Sequence, residues 1–372
     1  MMYERMDCRL CGGRVQTVLT LTPTPIANLF PDEPLSGKCY PLELKQCPVC
    51  SHVQVGHVID DDTLYGIGYK YATPEALKPQ INARAAELRQ EYASAKNVLE
   101  IGSNNGIFLH ALHDAGFKEV IGIDPSSTDP LVWKMPFNPQ SAELIKRRVG
   151  SVDLIVANNV FAHIDNLRRA FDGIDMILSP DGAVVFEVQY LVPMMESGAF
   201  DMIYHEHRDY HTLRPLQAFL AGAGMVMTDW RVIDAHGGSI RVTAKRYGVQ
   251  KEAPKEILNW GTFEAAILHQ RSWVNAQFSG KIAAFGAPAK AVTLIHHFGL
   301  QDRISYCVDD TPQKQGKYIA GTTIPVVSRD VMMADKPRQM LLLSWNYERL
   351  VRESLSNVDF IVPFSPRLSK AA

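Results

Sequence analysis

The run Glu100-Ile-Gly-Ser-Asn-Asn-Gly106 constrains this chain more than any other stretch. An apolar segment, Asn97-Val-Leu, leads in, and a helical pattern, Ile107-Phe-Leu-His-Ala-Leu, leads out. That succession reads as strand, tight loop and helix, the opening of a nucleotide-cofactor fold. Eighteen residues past Gly106, Asp124 closes a second apolar run, Val120-Ile-Gly-Ile. A carboxylate there can accept hydrogen bonds from both hydroxyls of an adenosine ribose. The plainer alternative is a structural βα turn that holds no ligand.

The loop's composition bears on which cofactor it suits. A dinucleotide loop usually carries three glycines, one of which lets the backbone approach a pyrophosphate. This loop has two, Gly102 and Gly106, with Asn104 and Asn105 between them. Asparagine tolerates left-handed backbone, so the turn still closes. Glu100 on the preceding strand would repel phosphates but suits a cationic or amine-bearing ligand. S-adenosylmethionine has a sulfonium, an amino group and no phosphate, so the loop favours it over NAD.

Cys8-Arg-Leu-Cys11 and Cys47-Pro-Val-Cys50 form two C-x-x-C pairs separated by 35 residues. Each pair can make a knuckle that points two thiolates at one place, and two knuckles complete a Cys₄ zinc site. Four thiolates leave no open position for water, so such a zinc would be structural. A redox dithiol or disulfides are the alternatives. Cys39 and Cys307 read as ordinary buried thiols, and His52 and His57 as ligands the four cysteines make unnecessary. A zinc module of about 60 residues buries little core alone and is expected to pack on its neighbour.

The chain's 372 residues imply two or three domains. A formal net charge of −2 gives no electrostatic reason for a nucleic-acid or anionic-lipid partner. No apolar run approaches the length of a membrane span and no signal-peptide core is present, which reads as cytoplasmic.

From residue 96 to about 246, strand and helix patterns alternate. Strands are expected at Asn97–Ile101, Val120–Asp124, Val152–Ala157, Ala183–Val188 and Arg241–Lys245, with helices around Ile107–Ala115, Leu167–Leu178 and Leu216–Ala223. Such alternation implies a mostly parallel α/β sheet covered on both faces, with ligands outside the carboxyl ends of its strands. Asn158 and Asn159 end one strand there. The densest polar cluster follows: Tyr204-His-Glu-His-Arg-Asp-Tyr-His211. A histidine with a carboxylate neighbour is a general-base candidate. On a strand, His205 and His207 would share a face opposite Glu206. A metal site and a solvated polar loop are the competing readings. Farther on, Lys281–Phe285, Ile304–Val308 and Met340–Ser344 read as strands of a second α/β unit, whose Gly286-Ala-Pro-Ala-Lys290 loop offers Lys290 to a phosphate, with Trp345 and Asn346 placed to face the same cleft.

These motifs together resemble the sugar C-methyltransferases that act on nucleotide-linked 4-keto-6-deoxy sugars. The resemblance covers nearly the whole chain. It is carried by the cysteine pairs, by Tyr69-Lys-Tyr71, by the Glu100–Gly106 loop and by Asn158-Asn-Val-Phe-Ala-His163. Tyr204-His-Glu-His207 with Tyr210, His236-Gly-Gly-Ser-Ile-Arg241, Ala284-Phe-Gly-Ala-Pro-Ala-Lys290 and Val308-Asp-Asp310 complete it. Departures are a short, irregular Pro125–Gly150 segment, a short link from Tyr247 to Gly280, His211 where phenylalanine is common, and Ala72 and Thr73 where serines are.

The resemblance implies a zinc-binding domain (1–72), a Rossmann-like class I methyltransferase domain (73–246) and a smaller C-terminal Rossmann-like α/β domain (247–372). It implies S-adenosylmethionine held by Glu100, Gly102, Asn104, Gly106, Asp124, Asn158 and Asn159, and structural zinc on Cys8, Cys11, Cys47 and Cys50. Catalysis would fall to His207 as base, with Glu206, Tyr204 and Tyr71. A nucleotide-linked keto sugar would meet Tyr69, His163, Tyr210, His236 and Lys290, in a monomer or homodimer. An O- or N-methyltransferase and a non-enzymatic zinc- and nucleotide-binding module are the alternatives.

Overall fold

The computed structural model describes residues 1–66, 73, 75–235 and 237–364. Among them, the strands form sheets of seven, five and four strands and one two-stranded pair. The seven-stranded sheet runs in the order Val226–Ile233, Ser239–Lys245, Leu178–Gln189, Val152–Asn158, Asn97–Ile101, Glu119–Ile123, Val132–Trp133. Its last five strands are parallel and its first two join antiparallel. The five strands expected from the sequence all lie in it.

Period-two alternation decides which face each residue covers. Leu99, Ile101, Ile155, Ala157 and Phe186 pack with Ala142, Ile145, Phe171, Ile174 and Phe219. These come from helices Pro139–Val149, Leu167–Ile177 and Leu213–Gly222. Val98, Leu154, Val156 and Val185 face the other way, onto Leu88, Phe108 and Leu112 of helices Lys78–Glu91 and Ile107–Asp114. Both faces are therefore covered, and only the strand ends are open to a ligand.

Three segments differ from the sequence reading. Pro125–Gly150 is not irregular: it holds the strand Val132–Trp133 and an 11-residue helix. Pro139 starts that helix at its first position, where its missing N–H costs nothing, and Asn138 and Ser141 form a reciprocal capping box. The strand Val226–Ile233 extends the sheet beyond the expected edge. The link after Tyr247 contains the 17-residue helix Trp260–Ala276.

The four-stranded antiparallel sheet orders Asp209–Tyr210, Val53–Val55, Tyr40–Gln46 and Gln16–Thr24. One of its strands thus comes from the polar cluster, far along the chain. Residues 205 and 206 form a turn before it, not the strand expected across His205–His207. The N-terminal region packs two ways. Cys8, Leu10, Val15 and Cys47 join the core of the large sheet. Leu19, Leu42, Leu44 and Val53 join a core shared with Phe200, Ile203, Val292, Leu294 and Ile295. The five-stranded parallel sheet orders Val326–Val327, Ile304–Val308, Ile282–Phe285, Gln339–Leu342 and Asp359–Ile361. Among the described residues no helix is long and apolar enough to cross a membrane.

Phe171 is buried beneath the large sheet with its ring 5.2 Å from Phe161 and 5.1 Å from Phe219. Phe171→Ala is expected to lower stability by about 3–5 kcal/mol in urea unfolding, through lost burial plus a cavity. Its dissociation constant for S-adenosylmethionine, measured below the transition, should stay at the wild-type value.

Candidate active site

The loop after Asn97–Ile101 closes through left-handed backbone at Gly102 (φ 78°), Asn104 (φ 45°) and Gly106 (φ 76°). A Cβ at Gly102 would lie 2.7 Å from the Val160 side chain, so glycine is required for the close approach of the next loop. The Asp124 carboxylate ties the turn together: one oxygen accepts the Asn104 amide at 3.0 Å and the other the Ser126 amide at 2.7 Å. Glu100 is buried and its Oε2 has no hydrogen-bond partner among the described residues. Burial pushes its carboxyl up to about 8. A buried carboxyl with one oxygen unpartnered among the described residues, at the end of a parallel strand, fits the amine-bearing end of a cationic ligand. Asn158 and Asn159 close the neighbouring strand; Asn159 is left-handed (φ 53°), and its amide donates to Glu187 O at 2.8 Å.

Val160 leads directly to the histidines. The His163 amide donates to Val160 O at 2.9 Å, and the His163 ring lies 5.0 Å from the His207 ring, edge to face. The loop that touches the cofactor turn therefore also touches the candidate base. His207 Nδ1 is 3.1 Å from Met202 O, a pure acceptor, so Nδ1 carries the proton. Nε2 then holds the lone pair and accepts from Tyr204 Oη at 2.7 Å. Tyr65 Oη donates to His163 Nδ1 at 3.2 Å. Burial, with Arg208 nearby, lowers His163 to about 4, so its imidazole is neutral.

The polar cluster divides its work. Tyr204 and His207 share the crevice with His163. Glu206 Oε2 accepts from Asn28 Nδ2 at 3.0 Å, and burial raises its carboxyl to about 7. The imidazole of His207 is oriented by Met202 and Tyr204. His205 turns into the N-terminal sheet, 3.1 Å from Pro41 O. Asp209 receives Arg9 at 2.7 Å and His52 at 2.8 Å, all three buried. Tyr210, expected to meet substrate, is fully buried, and its hydroxyl accepts the Tyr204 amide at 3.3 Å. It braces the turn from behind. Tyr69, Tyr71 and His236 lie outside the described residues. Gly237 beside the last is left-handed (φ 85°), and a Cβ there would meet the Trp345 ring at 2.4 Å.

Lys290 is buried, donates to Asn346 Oδ1 at 2.7 Å and sits 3.5 Å from the centre of the Trp345 ring. Burial lowers it to about 7, against the opposing pull of Asp201. Trp345 Nε1 donates to Asp201 Oδ2 at 2.7 Å, and Asp201 is one residue before Met202. The C-terminal unit and the His207 turn are thus joined through Asp201. Reading the sequence missed Asp201, Asn28, Arg9 and Tyr65. Two of them carried a signal: Arg9 lies inside the first cysteine pair, and Tyr65 opens the glycine- and tyrosine-rich stretch that ends at Tyr71.

The whole chain matches known proteins. A zinc binding domain matches residues 8–65, a methyltransferase domain residues 72–229, and a C-methyltransferase C-terminal domain residues 270–363. The C-methyltransferase NovU of Streptomyces niveus is 32% identical over 409 residues, covering 98% of this chain and 97% of NovU. The chain belongs to the sugar C-methyltransferase family. Its cofactors are S-adenosylmethionine and structural zinc. Partial similarity extends to the mitomycin 7-O-methyltransferase MmcR, at 14% identity and TM-score 0.35 over 49% of this chain and 56% of that one. A SAM-dependent methyltransferase from Archaeoglobus fulgidus is 15% identical, with TM-score 0.35 over 45% of this chain and 94% of that one.

In this C-methyltransferase the ligand atoms of Cys8, Cys11, Cys47 and Cys50 lie within 4.8 Å of one another. Zn–S bonds of about 2.3 Å put tetrahedral sulfurs ~3.8 Å apart, so the four thiolates fit zinc and close its shell. Each pair turns through a left-handed residue, Gly12 (φ 78°) and Ser51 (φ 66°). Cys307 is buried as expected, but Cys39 is exposed: it sits in a loop before its strand, away from the core.

Two outcomes are expected. Cys47→Ser should lose zinc by elemental analysis and melt at lower temperature, because its thiolate is a buried ligand. For Glu100 the sign follows from its raised pKa. The folded state holds the proton more tightly than the unfolded chain, so the associated stability is full below about 4.5 and is lost as pH rises toward 8. Glu100→Gln removes this loss, so its stability relative to wild type should increase with pH from 5 to 8. The steepest slope would be on the order of 1.4 kcal/mol per pH unit, read from urea titrations of ligand-free protein.

Proposed function

We propose that this enzyme methylates a nucleotide-linked 4-keto-6-deoxy sugar at the carbon beside the ketone, C3 or C5, with His207 as general base. The observation that carries this reading is the fixed tautomer of His207. Its Nδ1–H faces the Met202 carbonyl at 3.1 Å, and its Nε2 lone pair faces a phenol at 2.7 Å. Carbon alkylation needs a base at carbon and a donor at the ketone oxygen, and the His207–Tyr204 pair offers both.

In the proposed reaction, Nε2 takes the proton from the carbon next to the ketone, the C–H electron pair forms the C=C bond, and the C=O π pair moves onto oxygen to give the enolate. The new imidazolium remains hydrogen-bonded to Met202 O. The Tyr204 hydroxyl, turned from Nε2 onto the enolate oxygen, stabilises the charge. Neutral His163 adds no competing positive charge beside the base. A positioned base is typically worth about 10²–10⁴ in rate, and preorganised donors at the enolate a comparable factor. Glu100, Asp124 and the Gly102–Gly106 loop would hold S-adenosylmethionine, which would supply the electrophilic methyl to the enolate carbon and keep the S–CH₃ electron pair as the departing S-adenosylhomocysteine. Glu206 stays a candidate through Asn28, and Tyr71 through its place in the sequence.

Lys290, Trp345 and Asn346 support the nucleotide half of the reading. A lysine beside an indole face offers a cation to a diphosphate and a ring to a base. The units 1–72, 73–246 and 247–372 would then supply zinc-held support, the methyl-transfer crevice and the nucleotide clamp. The test is a product mass-shift assay against a panel of nucleotide-linked keto sugars, with fragmentation to separate C-methyl from O-methyl products. Loss of a C-methyl product across all keto sugars would sink the reading.

His207→Asn should bind S-adenosylmethionine as wild type does in calorimetry and lose turnover by about 10²–10⁴. Near-normal turnover would remove His207 from the base role.

A further inference from the structure

We propose that Arg9 is a positioning residue for methyl transfer, its guanidinium holding the His163 loop and the His207 turn at their working separation from inside the first cysteine knuckle. The inference rests on the role proposed above for His207. Arg9 lies between Cys8 and Cys11, yet its side chain leaves the knuckle and is 3% exposed. One arm of the fork, NH2, donates to the carbonyls of Ile164 and of Asp165, the latter at 2.7 Å. These are the first and second residues after His163. The other arm, NH1, pairs with Asp209 Oδ2 at 2.7 Å, two residues after His207. The Arg9 backbone is fixed too: its amide donates to Gln54 Oε1 at 2.9 Å, and Gln54 faces Asp209 across the sheet.

The two histidine segments share one backbone hydrogen bond, from the Arg208 amide to Ala162 O at 2.8 Å, and one side-chain ion pair, Arg208 to Asp165. The backbone bond is a pivot, and an ion pair to an exposed carboxylate restrains rotation about it only weakly. Arg9 adds the second point, past His163 on one segment and past His207 on the other. Two points fix an angle, and the angle sets the 5.0 Å ring separation. Arg208 and Arg5 also reach Asp165, at 3.2 Å and 2.8 Å, but that side chain is 40% exposed. Lysine cannot replace Arg9 in this role, because one ammonium does not span a carboxylate and two carbonyls in the planar geometry of the fork. The outcome ties methyl-transfer geometry to the order of the zinc knuckle.

The experiment compares wild-type holoenzyme with Arg9→Lys and Arg9→Met. Arg9→Lys keeps a cation for Asp209, so it decides the matter if Arg9→Met does not fold. The expected result for Arg9→Lys is one zinc per chain, an S-adenosylmethionine dissociation constant within about 3-fold of wild type, and kcat lower by about 10²-fold with KM for the keto sugar little changed. Crystal structures of variant and wild type should show the His163 and His207 rings moved apart. A kcat within about 3-fold of wild type, or a kcat that falls only in proportion to lost zinc, overturns the proposal, as does an unchanged ring separation in a slow variant. If wild type methylates no keto sugar yet the rings part in Arg9→Lys, the role given to His207 fails while the positioning stands.

Discussion

A carboxylate with no access to solvent, Asp209, holds this molecule's parts in register. Burial alone would raise its pKa, but Arg9 and His52 hold it well below the usual carboxylate range. Removing one partner from a buried ion pair leaves an uncompensated charge and costs about 3–5 kcal/mol. The strand Asp209–Tyr210 is therefore pinned to Val53–Val55, and the turn before it is pinned with it. The Tyr210 hydroxyl then accepts the Tyr204 amide, Met202 O accepts a hydrogen bond from His207 Nδ1–H, and the imidazole is oriented. A long-range ion pair thus positions a local turn whose own residues, glycine-free and polar, would not choose one shape.

The parallel strands were legible because a strand buried on both faces needs a mostly apolar run, and Val98–Ile101, Val152–Ala157 and Val184–Val188 each have one, interrupted only by Glu100, Asp153 and Glu187. The cofactor loop was legible because its glycines and acid stand at fixed offsets. Helix Pro139–Val149 was not, because its first residue is a proline and its last turn is Lys146, Arg147 and Arg148, so its buried stripe is narrow: Ser141, Ala142 and Ile145. Strand Val226–Ile233 alternates weakly, with three of its eight residues, Thr228, Asp229 and Arg231, polar or charged, as suits an edge. The polar cluster was found as a cluster but not as two sites. Sequence spacing shows which residues are near in the chain; it does not show that Asp209 looks toward Arg9 while His207 looks toward His163.

Three carboxyls near the crevices share a second property. Burial raises Glu100 to about 8, Glu206 to about 7 and Asp201 to about 6. Each has one oxygen without a hydrogen-bond partner among the described residues. Unsatisfied buried polar atoms are costly in a stable core, and carboxyls with raised pKa values are more frequent at functional sites than elsewhere. The contrast with Asp209 is instructive. Asp209 Oδ2 also lacks a hydrogen bond in good geometry, but the Arg9 guanidinium stands 2.7 Å from it and holds its pKa down, whereas burial dominates at Glu100, Glu206 and Asp201.

The two α/β units repeat one opening with different consequences. In the large sheet, the Gly102 amide donates to Ile123 O at 2.8 Å and Asp124 accepts the Asn104 amide at 3.0 Å. In the five-stranded sheet, the Gly286 amide donates to Val308 O at 2.7 Å and Asp309 accepts the Ala287 amide at 2.7 Å. Each glycine is left-handed, and each acid follows the second strand and braces the first loop. The charge at the mouth differs. Two residues before its glycine, the first opening has Glu100 and the second has Ala284. The second instead carries Lys290, and Lys314, whose ammonium donates to Ala287 O at 2.9 Å. One backbone device thus presents a carboxyl in one unit and two lysines in the other. What each unit holds is decided by one or two charged side chains on a shared frame, which is why the loop pattern alone, without Glu100, would have been a poor guide.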